Sequence, residues 1–256
     1  MRYLRFQQAG EKEARIGWID GESIGLLEGP LFGPHRRLPA AQSLASVRLL
    51  APALPGKIVG VGRNYRDHAR EHDVEVPEVP LLFLKPPSAV IGPGDAIHLP
   101  PQSQQVEYEA ELAVIIGRRA RGVTPDEAVH SIFGYTIAND ITARDLQQRD
   151  GQWTRAKGFD TFCPVGPWIE TEADPDDLRI LCRVNGQIRQ MASTREMVFS
   201  AAQLVAFISG IMTLEPGDLI LTGTPAGVGK LAAGDRVQVE IEGIGTLENT
   251  VQEPEA

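Results

Sequence analysis

The sequence predicts a β-rich fold of the α+β class. Short apolar runs typical of strands outnumber segments with helical spacing. The two do not alternate regularly, as they would around a parallel doubly wound sheet. The chain also contains 26 glycines and 19 prolines, which suit many short strands joined by turns. With 256 residues and a hydrophobic content of 42%, it is long enough for one large domain with a small appendage.

The appendage is expected at the N-terminus. Residues 3–6, 14–19 and 23–27 have the pattern of short strands, and Asp20-Gly21 is a hairpin signal between the last two. Residues 34–55 are rich in proline and alanine and are interpreted as a linker with one short helix. We therefore expect a small N-terminal unit with its linker over residues 1–55 and a larger domain over residues 56–256.

Charge and composition exclude several classes of partner. The formal net charge is -9 and the pI is near 5.1, so the long-range field repels nucleic acid and anionic membranes. The longest apolar runs, such as residues 112–116, are too short to cross a bilayer, and the N-terminus lacks the pattern of a secretory signal. Cys163 and Cys182 have no metal-like spacing and are interpreted as free thiols. These features predict a cytoplasmic protein.

A histidine and a glutamate form the first candidate for catalysis. Residues 57–61 predict a strand, which Gly62-Arg63-Asn64 ends, and Asn64 is the expected cap of a following helix. His68 and Glu71 lie three residues apart on that helix and share a face. A carboxylate that orients a histidine is a standard way to make a general base. The alternative is an exposed helix pair without a chemical role.

A row of carboxylates follows on a strand around residues 107–116. Side chains alternate between the faces of a strand, so Glu107, Glu109 and Glu111 share one face and an apolar set that includes Leu112 occupies the other. Carboxylates this close raise each other's pKa unless a cation neutralises them. A divalent cation would do so. The alternative is a solvated polar face on a half-buried strand.

Asp140 comes directly after a further predicted strand, over residues 132–138. A polar segment that includes Arg144 and Gln147 follows it. An aspartate at the end of a strand is a typical functional position, and a helix cap is the alternative. The pattern alone does not decide between them.

Lys157 lies among aromatic residues. Trp153, Phe159 and Phe162 flank it in the sequence. An ammonium group held among aromatic rings is a candidate for a shifted pKa. The alternative is a surface lysine whose stem lies along apolar neighbours.

The second half of the chain carries clear local signals. Asn185-Gly186 predicts a hairpin over residues 178–191. Residues 200–212 have helical spacing, with Leu204, Val205 and Ile208 on one face. Thr124 and Glu127 form a capping box at the start of a short helix, and residues 236–242 and 246–251 predict two closing strands. The two predicted helices are short, and the predicted strands outnumber them.

A glycine-rich loop over residues 223–230 follows a predicted strand at 219–222. It does not match a phosphate-binding loop, because that pattern requires glycine where Thr224 stands and serine or threonine where Leu231 stands. We interpret it as a rigid loop whose N–H groups could bind a carboxylate.

Six stretches of the sequence, in order along residues 56–251, resemble the fumarylacetoacetate hydrolase superfamily. The resemblance is greatest to the compact bacterial members and to the acylpyruvase, oxaloacetate decarboxylase and 2-hydroxyhepta-2,4-diene-1,7-dioate isomerase group. The stretches are Val61-Gly62-Arg63-Asn64-Tyr65 with His68 and Glu71, Leu82-Phe83-Leu84-Lys85-Pro86, Tyr108-Glu109-Ala110-Glu111-Leu112, Asn139-Asp140-Ile141-Thr142-Ala143-Arg144-Asp145, Trp153-Thr154-Arg155-Ala156-Lys157 and Leu221-Thr222-Gly223-Thr224-Pro225.

The resemblance implies a core of mixed strands rolled into a barrel-like form, in a homodimer. It also implies a metal site formed by three of these carboxylates: Glu109, Glu111 and Asp140. Glu107 then lies outside the ligand set, either supporting a ligand or solvated. His68 and Glu71 become the pair that activates water.

The resemblance assigns the remaining polar residues to the substrate. Lys157 is placed against the substrate carbonyl or the enolate that develops from it. Gln147 and Thr224 are placed against the carboxylate end of the substrate. Arg144 and Lys85 are candidates for substrate binding too, although either could be a structural ion-pair partner instead.

Three carboxylates without histidine or cysteine form a hard oxygen site, which favours Mg²⁺ or Mn²⁺. We therefore expect a metal-dependent enzyme that acts on a small 2-oxo or 2-enol acid, by hydrolytic cleavage of a C–C bond in an acylpyruvate-like compound. The alternatives are a 2-hydroxyhepta-2,4-diene-1,7-dioate isomerase, a 5-oxopent-3-ene-1,2,5-tricarboxylate decarboxylase or an oxaloacetate decarboxylase. A metal-stabilised binding protein without turnover is the alternative from another class.

Overall fold

Short strands and short helices make up most of the folded chain. A computed structural model describes residues 1–71, 73 and 75–254. The strands before residue 55 are β1 (Arg2–Gln8), β2 (Ala14–Asp20), β3 (Ser23–Glu28), β4 (Arg36–Arg37), β5 (Gln42–Ser43) and β6 (Val47–Leu50). The α-helices are α1 (Arg66–Glu71), α2 (Pro125–Ala128), α3 (Arg144–Asp150), α4 (Thr154–Lys157) and α5 (Ala201–Ile211). Single 3-10 turns lie at Leu44–Ser46, Pro87–Ala89, Val129–Ser131 and Thr194–Glu196.

Among the described residues, fifteen further strands follow residue 55. The first eight are β7 (Ile58–Gly62), β8 (Leu81–Lys85), β9 (Val90–Ile91), β10 (Ala96–His98), β11 (Val106–Tyr108), β12 (Ala110–Ile116), β13 (Ile132–Asn139) and β14 (Thr142–Ala143). The others are β15 (Cys163–Glu170), β16 (Arg179–Val184), β17 (Gln187–Ser193), β18 (Leu219–Leu221), β19 (Gly229–Lys230), β20 (Arg236–Ile241) and β21 (Gly245–Gln252).

The strands form three sheets. The main sheet has 13 strands along the path β4-β3-β2-β1-β15-β13-β12-β18-β7-β8, with β5, β6 and β9 paired to its side. A five-stranded sheet runs β10-β21-β20-β16-β17, and a three-stranded sheet runs β14-β11-β19. The main sheet is mixed, because β18 and β7 are parallel whereas β12 is antiparallel to both its neighbours. The β-rich α+β class is confirmed, and the described strand path is open rather than a closed barrel.

Strand β12 lies at the centre of the core. Its residues Leu112 and Val114 belong to one apolar cluster with Leu204 and Ile208 of α5, as the spacing of that helix predicts. Alternate residues, including Ala113, belong to a second cluster on the other side of the strand. Both faces of β12 are therefore buried, and a polar side chain on it needs partners inside the protein.

The N-terminal strands extend the main sheet. Strand β1 pairs with β15, with Arg2 opposite Glu170, while Leu4, Phe6 and Ile24 belong to a small apolar cluster of their own. The linker interpretation of residues 34–55 is wrong in part, because β4, β5 and β6 lie within this segment and pair with β3 and β1. Strands of two to four residues are too short to show a hydrophobic period in the sequence.

Most local signals in the sequence are confirmed. The Asn185-Gly186 turn joins β16 to β17, and both of its residues have positive φ, at 53° and 79°. Thr124 and Glu127 form the expected capping box on α2. Helix α1 begins at Arg66, so the prediction that Asn64 caps it is wrong. None of the described helices is long and apolar enough to span a membrane.

The side chain of Asn64 has a different role. Its Nδ2 donates to Thr222 O at 2.7 Å and to Phe199 O at 3.0 Å, and its Oδ1 accepts from Phe199 N at 2.8 Å. These bonds join the chain after β7 to two distant segments. His72, which the sequence places near the end of the same helix, lies outside the described residues.

Candidate metal centre and active site

The row of glutamates is not on one continuous strand. Strand β11 ends at Tyr108 and β12 begins at Ala110, and the two belong to different sheets. At the junction, Glu109 N donates to Asn139 Oδ1 at 2.9 Å and Ala110 N donates to Gln190 Oε1 at 3.0 Å. Two side chains thus replace the ladder partners that the backbone lacks at this break. Sequence reasoning missed both Asn139 and Gln190, since neither carries a local signal.

Three carboxylates meet beside this break. Glu109, Glu111 and Asp140 each have a carboxylate oxygen within 4.8 Å of those of the other two. Asp140 is brought there by β13, whose last residue lies opposite Ala110, and Asp140 N donates to Glu109 O at 2.8 Å. Their exposed fractions are 4%, 1% and 0%. The alternative of a solvated polar face is therefore wrong.

Three cations surround the carboxylates. Lys157 Nζ donates to Glu109 Oε2 at 2.8 Å and to Asp140 Oδ2 at 2.5 Å. Lys85 Nζ donates to Asp140 Oδ1 at 2.5 Å and to the carbonyl of Ile141. Arg144 Nη2 donates to Glu109 Oε1, also at 2.5 Å. The alternative of a surface lysine at position 157 is thus wrong, because its side chain is only 2% exposed.

Glu107 is buried too, and it supports the site through Arg144. Its Oε2 accepts from Arg144 Nε at 2.7 Å, and its Oε1 accepts from Gln105 Nε2 at 2.6 Å. The guanidinium of Arg144 therefore spans two carboxylates, Glu107 and Glu109. The whole cluster contains four carboxylates and three cations, so it has one negative charge in excess when all four carboxylates are ionised.

The pKa shifts follow from this arrangement. Burial, together with the charges of Asp140 and Glu109, raises the pKa of Glu111 well above its ordinary value. Burial also raises the pKa of Glu109, but Lys157 and Arg144 outweigh it and lower that pKa overall. Burial lowers the pKa of Lys157, but Asp140 and Glu109 outweigh it and raise that pKa. Lys157 is therefore held as ammonium, and Glu111 is the carboxylate without a cation of its own.

The three carboxylates suit a divalent cation. All their donors are hard oxygens, which Mg²⁺ and Mn²⁺ prefer. One oxygen of Glu111 accepts from Gly223 N at 2.6 Å, and no described group donates to the other. The oxygens of Asp140 each accept one hydrogen bond from a lysine and keep a second lone pair. Glu109, Glu111 and Asp140 could thus bind one cation together, and its charge would remove the repulsion that raises the pKa of Glu111.

His68 and Glu71 are in contact, as their spacing predicts. His68 Nδ1 lies 3.3 Å from Glu71 Oε2, and the histidine is 7% exposed. A proton on Nδ1 shared with Glu71 places the basic lone pair on Nε2. Gly227 N donates to Glu71 Oε1 at 3.0 Å and so fixes the carboxylate that orients the histidine.

The glycine-rich loop does bind carboxylates, and both belong to the protein itself. Gly223 N donates to Glu111 and Gly227 N donates to Glu71. Gly223 has φ +98°, and a Cβ at this position would lie 2.7 Å from Cβ of Asn64. Both the backbone conformation and the packing therefore require glycine here.

A cavity of about 220 Å³ joins most of these groups. Seven of the predicted site residues line it: His68, Glu109, Glu111, Arg144, Gln147, Lys157 and Thr224. Asp140, Lys85 and Glu71 are not among the lining residues. Asp140 and Lys85 lie behind the wall, where the ion pair between them is fully buried.

The cavity wall also contains Arg63, Phe83 and Gln148, to which the sequence analysis assigned no role. Trp153, which it placed beside Lys157, lines the cavity as well. Lys157 Nζ lies 4.8 Å from the centroid of the Phe83 ring, so the aromatic partner of this lysine comes from β8. Phe83 could not be found from its position relative to Lys157, because the two are 74 residues apart in the chain.

Gln147 and Thr224 are oriented so that each can donate to a ligand. Gln147 Oε1 accepts from Arg144 Nη1 at 2.6 Å, which leaves its amide N–H groups directed elsewhere. Thr224 Oγ1 accepts from Gln190 Nε2 at 2.8 Å, so its own hydroxyl hydrogen is available to an acceptor. Both arrangements suit a carboxylate in the cavity.

The raised pKa of Glu111 predicts a pH effect on the metal-free protein. A raised folded pKa stabilises the fold fully below the ordinary value of 4.5, and this contribution is lost as the pH rises through the folded value. Glu111→Gln keeps the shape of the protonated group but cannot ionise. In chelator, we expect the Tm of this variant minus that of the wild type to grow between about pH 5 and pH 8. A difference that stays constant over that range would contradict the shift.

Comparison with known families identifies the chain. Residues 57–252 match the family model described as fumarylacetoacetate (FAA) hydrolase, C-terminal. The chain belongs to the fumarylacetoacetate hydrolase family. Residues 1–52 match a second model, described as Rv2993c-like, N-terminal. Three similar proteins of this family are named a tautomerase, an isomerase and a hydrolase.

A mitochondrial oxaloacetate tautomerase of Bos taurus is 48% identical over 287 residues, with 98% of this chain and 91% of that protein covered. The crystal structure of 2-hydroxyhepta-2,4-diene-1,7-dioate isomerase from Mycobacterium marinum is similar, with a TM-score of 0.91 at 46% identity and 99% and 98% of the two chains covered. The structure of maleylpyruvate hydrolase from Sphingobium sp. SYK-6, in complex with manganese(II) and pyruvate, has a TM-score of 0.81 at 33% identity, with all of both chains covered.

Proposed function

We propose that this protein is a metal-dependent enzyme that moves a proton between the keto and enol forms of a small 2-oxo acid of the oxaloacetate type. One observation carries the proposal: a histidine oriented by a carboxylate lines the same cavity as Glu109 and Glu111, two of the three carboxylates that suit a divalent cation. The tautomerase relative, which covers 98% of this chain, supports the choice of reaction. The cavity of about 220 Å³ is smaller than drug-sized sites, which suits a small acid.

The residues divide the chemistry between them. Glu109, Glu111 and Asp140 would hold a divalent cation, which would supply Lewis acidity to the 2-oxo group. His68 removes the proton from the adjacent carbon and returns it to the enolate oxygen, which gives the enol, and Glu71 stabilises the imidazolium between these two transfers. The mechanism therefore needs the carboxylates and the histidine close together, and the shared cavity lining of His68, Glu109 and Glu111 supports it.

Two further sets of groups complete the proposed site. Lys157 is held as ammonium beside Glu109 and Asp140, and it adds positive charge where the enolate oxygen develops. Gln147 and Thr224 donate hydrogen bonds to the substrate carboxylate. Arg144 fixes Gln147 and Glu109, so we propose a supporting role for it, and Lys85 has the same role towards Asp140.

Hydrolytic cleavage of an acylpyruvate-like compound is the second candidate. In that reaction His68 takes a proton from water, which attacks the distal carbonyl, and the same enolate leaves. The His68–Glu71 contact favours this reaction as well, because a water molecule and a carbon acid both require a base. Among the solved structures, the one from Sphingobium supports this candidate, because it is named a maleylpyruvate hydrolase.

The cation in this proposal is Mg²⁺ or Mn²⁺. Three carboxylates do not distinguish the two, and Mn²⁺ is the ion named for the Sphingobium structure. We also propose a homodimer located in the cytoplasm, in which residues 1–55 are a small N-terminal unit with its linker and residues 56–256 are the catalytic domain. Light scattering on the purified protein tests the dimer.

Turnover assays decide between the candidates. We expect the ultraviolet absorbance of enol-oxaloacetate to decay faster with protein and Mg²⁺ or Mn²⁺ than with protein and chelator. Acetylpyruvate and a 2-hydroxydienoate, assayed in parallel, report hydrolysis and isomerisation. Cleavage of acetylpyruvate without any effect on the oxaloacetate enol would replace the first candidate by the second. No metal-dependent turnover of any of them would contradict both and favour a binding protein.

A further inference from the structure

Arg63 is the cation of the cavity wall that has no carboxylate partner. Three cationic side chains line the cavity, and two of them, Arg144 and Lys157, are bonded to the buried carboxylates. Within residues 1–71, 73 and 75–254, the guanidinium of Arg63 makes no hydrogen bond or ion pair. Arg63 thus brings five N–H donors to the wall of a small polar cavity, and none of them has an acceptor among the described residues.

The backbone holds Arg63 in a costly conformation. Its φ is +59°, in the left-handed region that residues with a side chain seldom adopt. The neighbours on both sides are fixed: Asn64 is bonded to Thr222 and Phe199, and a Cβ on Gly62 would lie 2.7 Å from the Trp153 ring. A strained residue that persists because its neighbours are fixed is characteristic of a binding position.

The charges of the site point to the class of ligand. The buried cluster has one negative charge in excess, and a divalent cation would change this to one positive charge. Arg63 adds a second positive charge at the cavity wall. A ligand with two carboxylates can place one of them near the metal site and the other at Arg63, whereas a ligand with one carboxylate leaves Arg63 without an acceptor.

We propose that Arg63 binds the second carboxylate of the substrate and thereby selects dianionic 2-oxo acids over monoanionic ones. This inference rests on the proposed function, since it takes the cavity to be the site of a 2-oxo acid. The first carboxylate then lies with Gln147 and Thr224, and the second is held by the guanidinium, in a bidentate contact if its plane permits.

Calorimetry on the Mn²⁺-loaded protein tests the proposal with two inert ligands. They are 3,3-difluorooxaloacetate and 3,3-difluoro-2-oxobutyrate, which differ by one carboxylate and have no hydrogen on C3 to transfer. Arg63→Asn removes the charge, and asparagine tolerates the left-handed backbone. We expect this variant to bind the dianion about ten- to a hundredfold more weakly than the wild type and to leave the monoanion within about twofold.

Two further variants complete the test. Arg63→Lys keeps the charge and should restore part of the affinity for the dianion. Arg118→Asn removes an exposed arginine outside the cavity and should change neither affinity, which controls for net charge. Circular dichroism should show an unchanged or higher Tm for Arg63→Asn, because the strain is reduced.

Other outcomes overturn the proposal. Equal weakening of both ligands by Arg63→Asn, or no weakening of either, would show that Arg63 does not read the second carboxylate. In those cases turnover of oxaloacetate still measures the proposed function independently. If wild-type protein loaded with Mn²⁺ binds neither ligand, the inference fails together with the 2-oxo acid site on which it rests.

Discussion

Replacing Glu111 by glutamine is expected to abolish metal binding and leave the metal-free fold intact. The pKa of this carboxyl is raised, so the metal-free protein favours its protonated form, which glutamine imitates. The amide oxygen can still accept from Gly223 N. Because a charged metal ligand is lost, the affinity for Mn²⁺ should fall by at least about a hundredfold. This loss is larger than that caused by removing a residue that only hydrogen-bonds to a metal ligand. Turnover should fall with it. Calorimetric titration with Mn²⁺ and a thermal scan in chelator measure the two effects.

Asp140→Asn is the matched variant and should behave differently. Asp140 binds Lys85 and Lys157, and all three side chains are at most 2% exposed. Its neutralisation leaves the buried ammonium of Lys85 without a carboxylate, at a cost of about 3–5 kcal/mol in the free energy of unfolding. We expect this variant to lose both metal binding and stability. Full Mn²⁺ affinity in both variants would refute the three-carboxylate site.

Replacing His68 by asparagine is expected to remove turnover without removing the metal. Asparagine keeps a donor that can reach towards Glu71, but it has no basic nitrogen. Loss of a positioned general base typically lowers kcat by about a hundred- to ten-thousandfold. His68 is outside the proposed set of metal ligands, so the Mn²⁺ affinity of the variant should stay within about threefold of the wild type. Stopped-flow assay of enol-oxaloacetate and calorimetry separate the two readouts.

Glu71→Gln provides the comparison for that result. With its amide oxygen in the place of Oε2, glutamine can still accept from both Gly227 N and His68 Nδ1–H, but the negative charge that stabilises an imidazolium is gone. The fall in kcat should be smaller than that for His68→Asn. A His68→Asn enzyme that retains half its kcat would assign the base to another group and leave the metal centre unaffected.

The sequence predicts the elements of this fold better than the contacts between them. Local signals were sufficient for the turn at Asn185-Gly186 and the cap at Thr124, because each depends on residues within a few positions. The alternation of glutamates identified the stretch that bears the site. It did not reveal the break at Glu109, since a strand that changes sheets keeps its local pattern. The contacts that stabilise the break come from Asn139 and Gln190, 30 and 80 residues away.

The same limit applies to the charged groups. The pairing of Arg144 with Glu107 and Glu109 depends on how β11 and α3 meet, which no spacing in the sequence encodes. Lys157 was noticed for aromatic neighbours in sequence, whereas the ring beside it is Phe83. Asn64 was expected to cap α1 because that is its most common local role, but a more distant set of backbone acceptors binds it instead.

The loop after β18 contacts both the candidate metal site and the candidate general base. Gly223 N donates to the carboxylate of Glu111 and Gly227 N donates to that of Glu71, so one short stretch of backbone links a candidate metal ligand to the carboxylate that orients the candidate base. One residue inserted into this loop would displace both N–H donors and the two carboxylates that they bind. A substitution elsewhere in the chain could not realign these two carboxylates separately. New substrate preferences in this scaffold are therefore easier to reach through side chains of the cavity wall, such as Phe83 and Trp153, than through the loop.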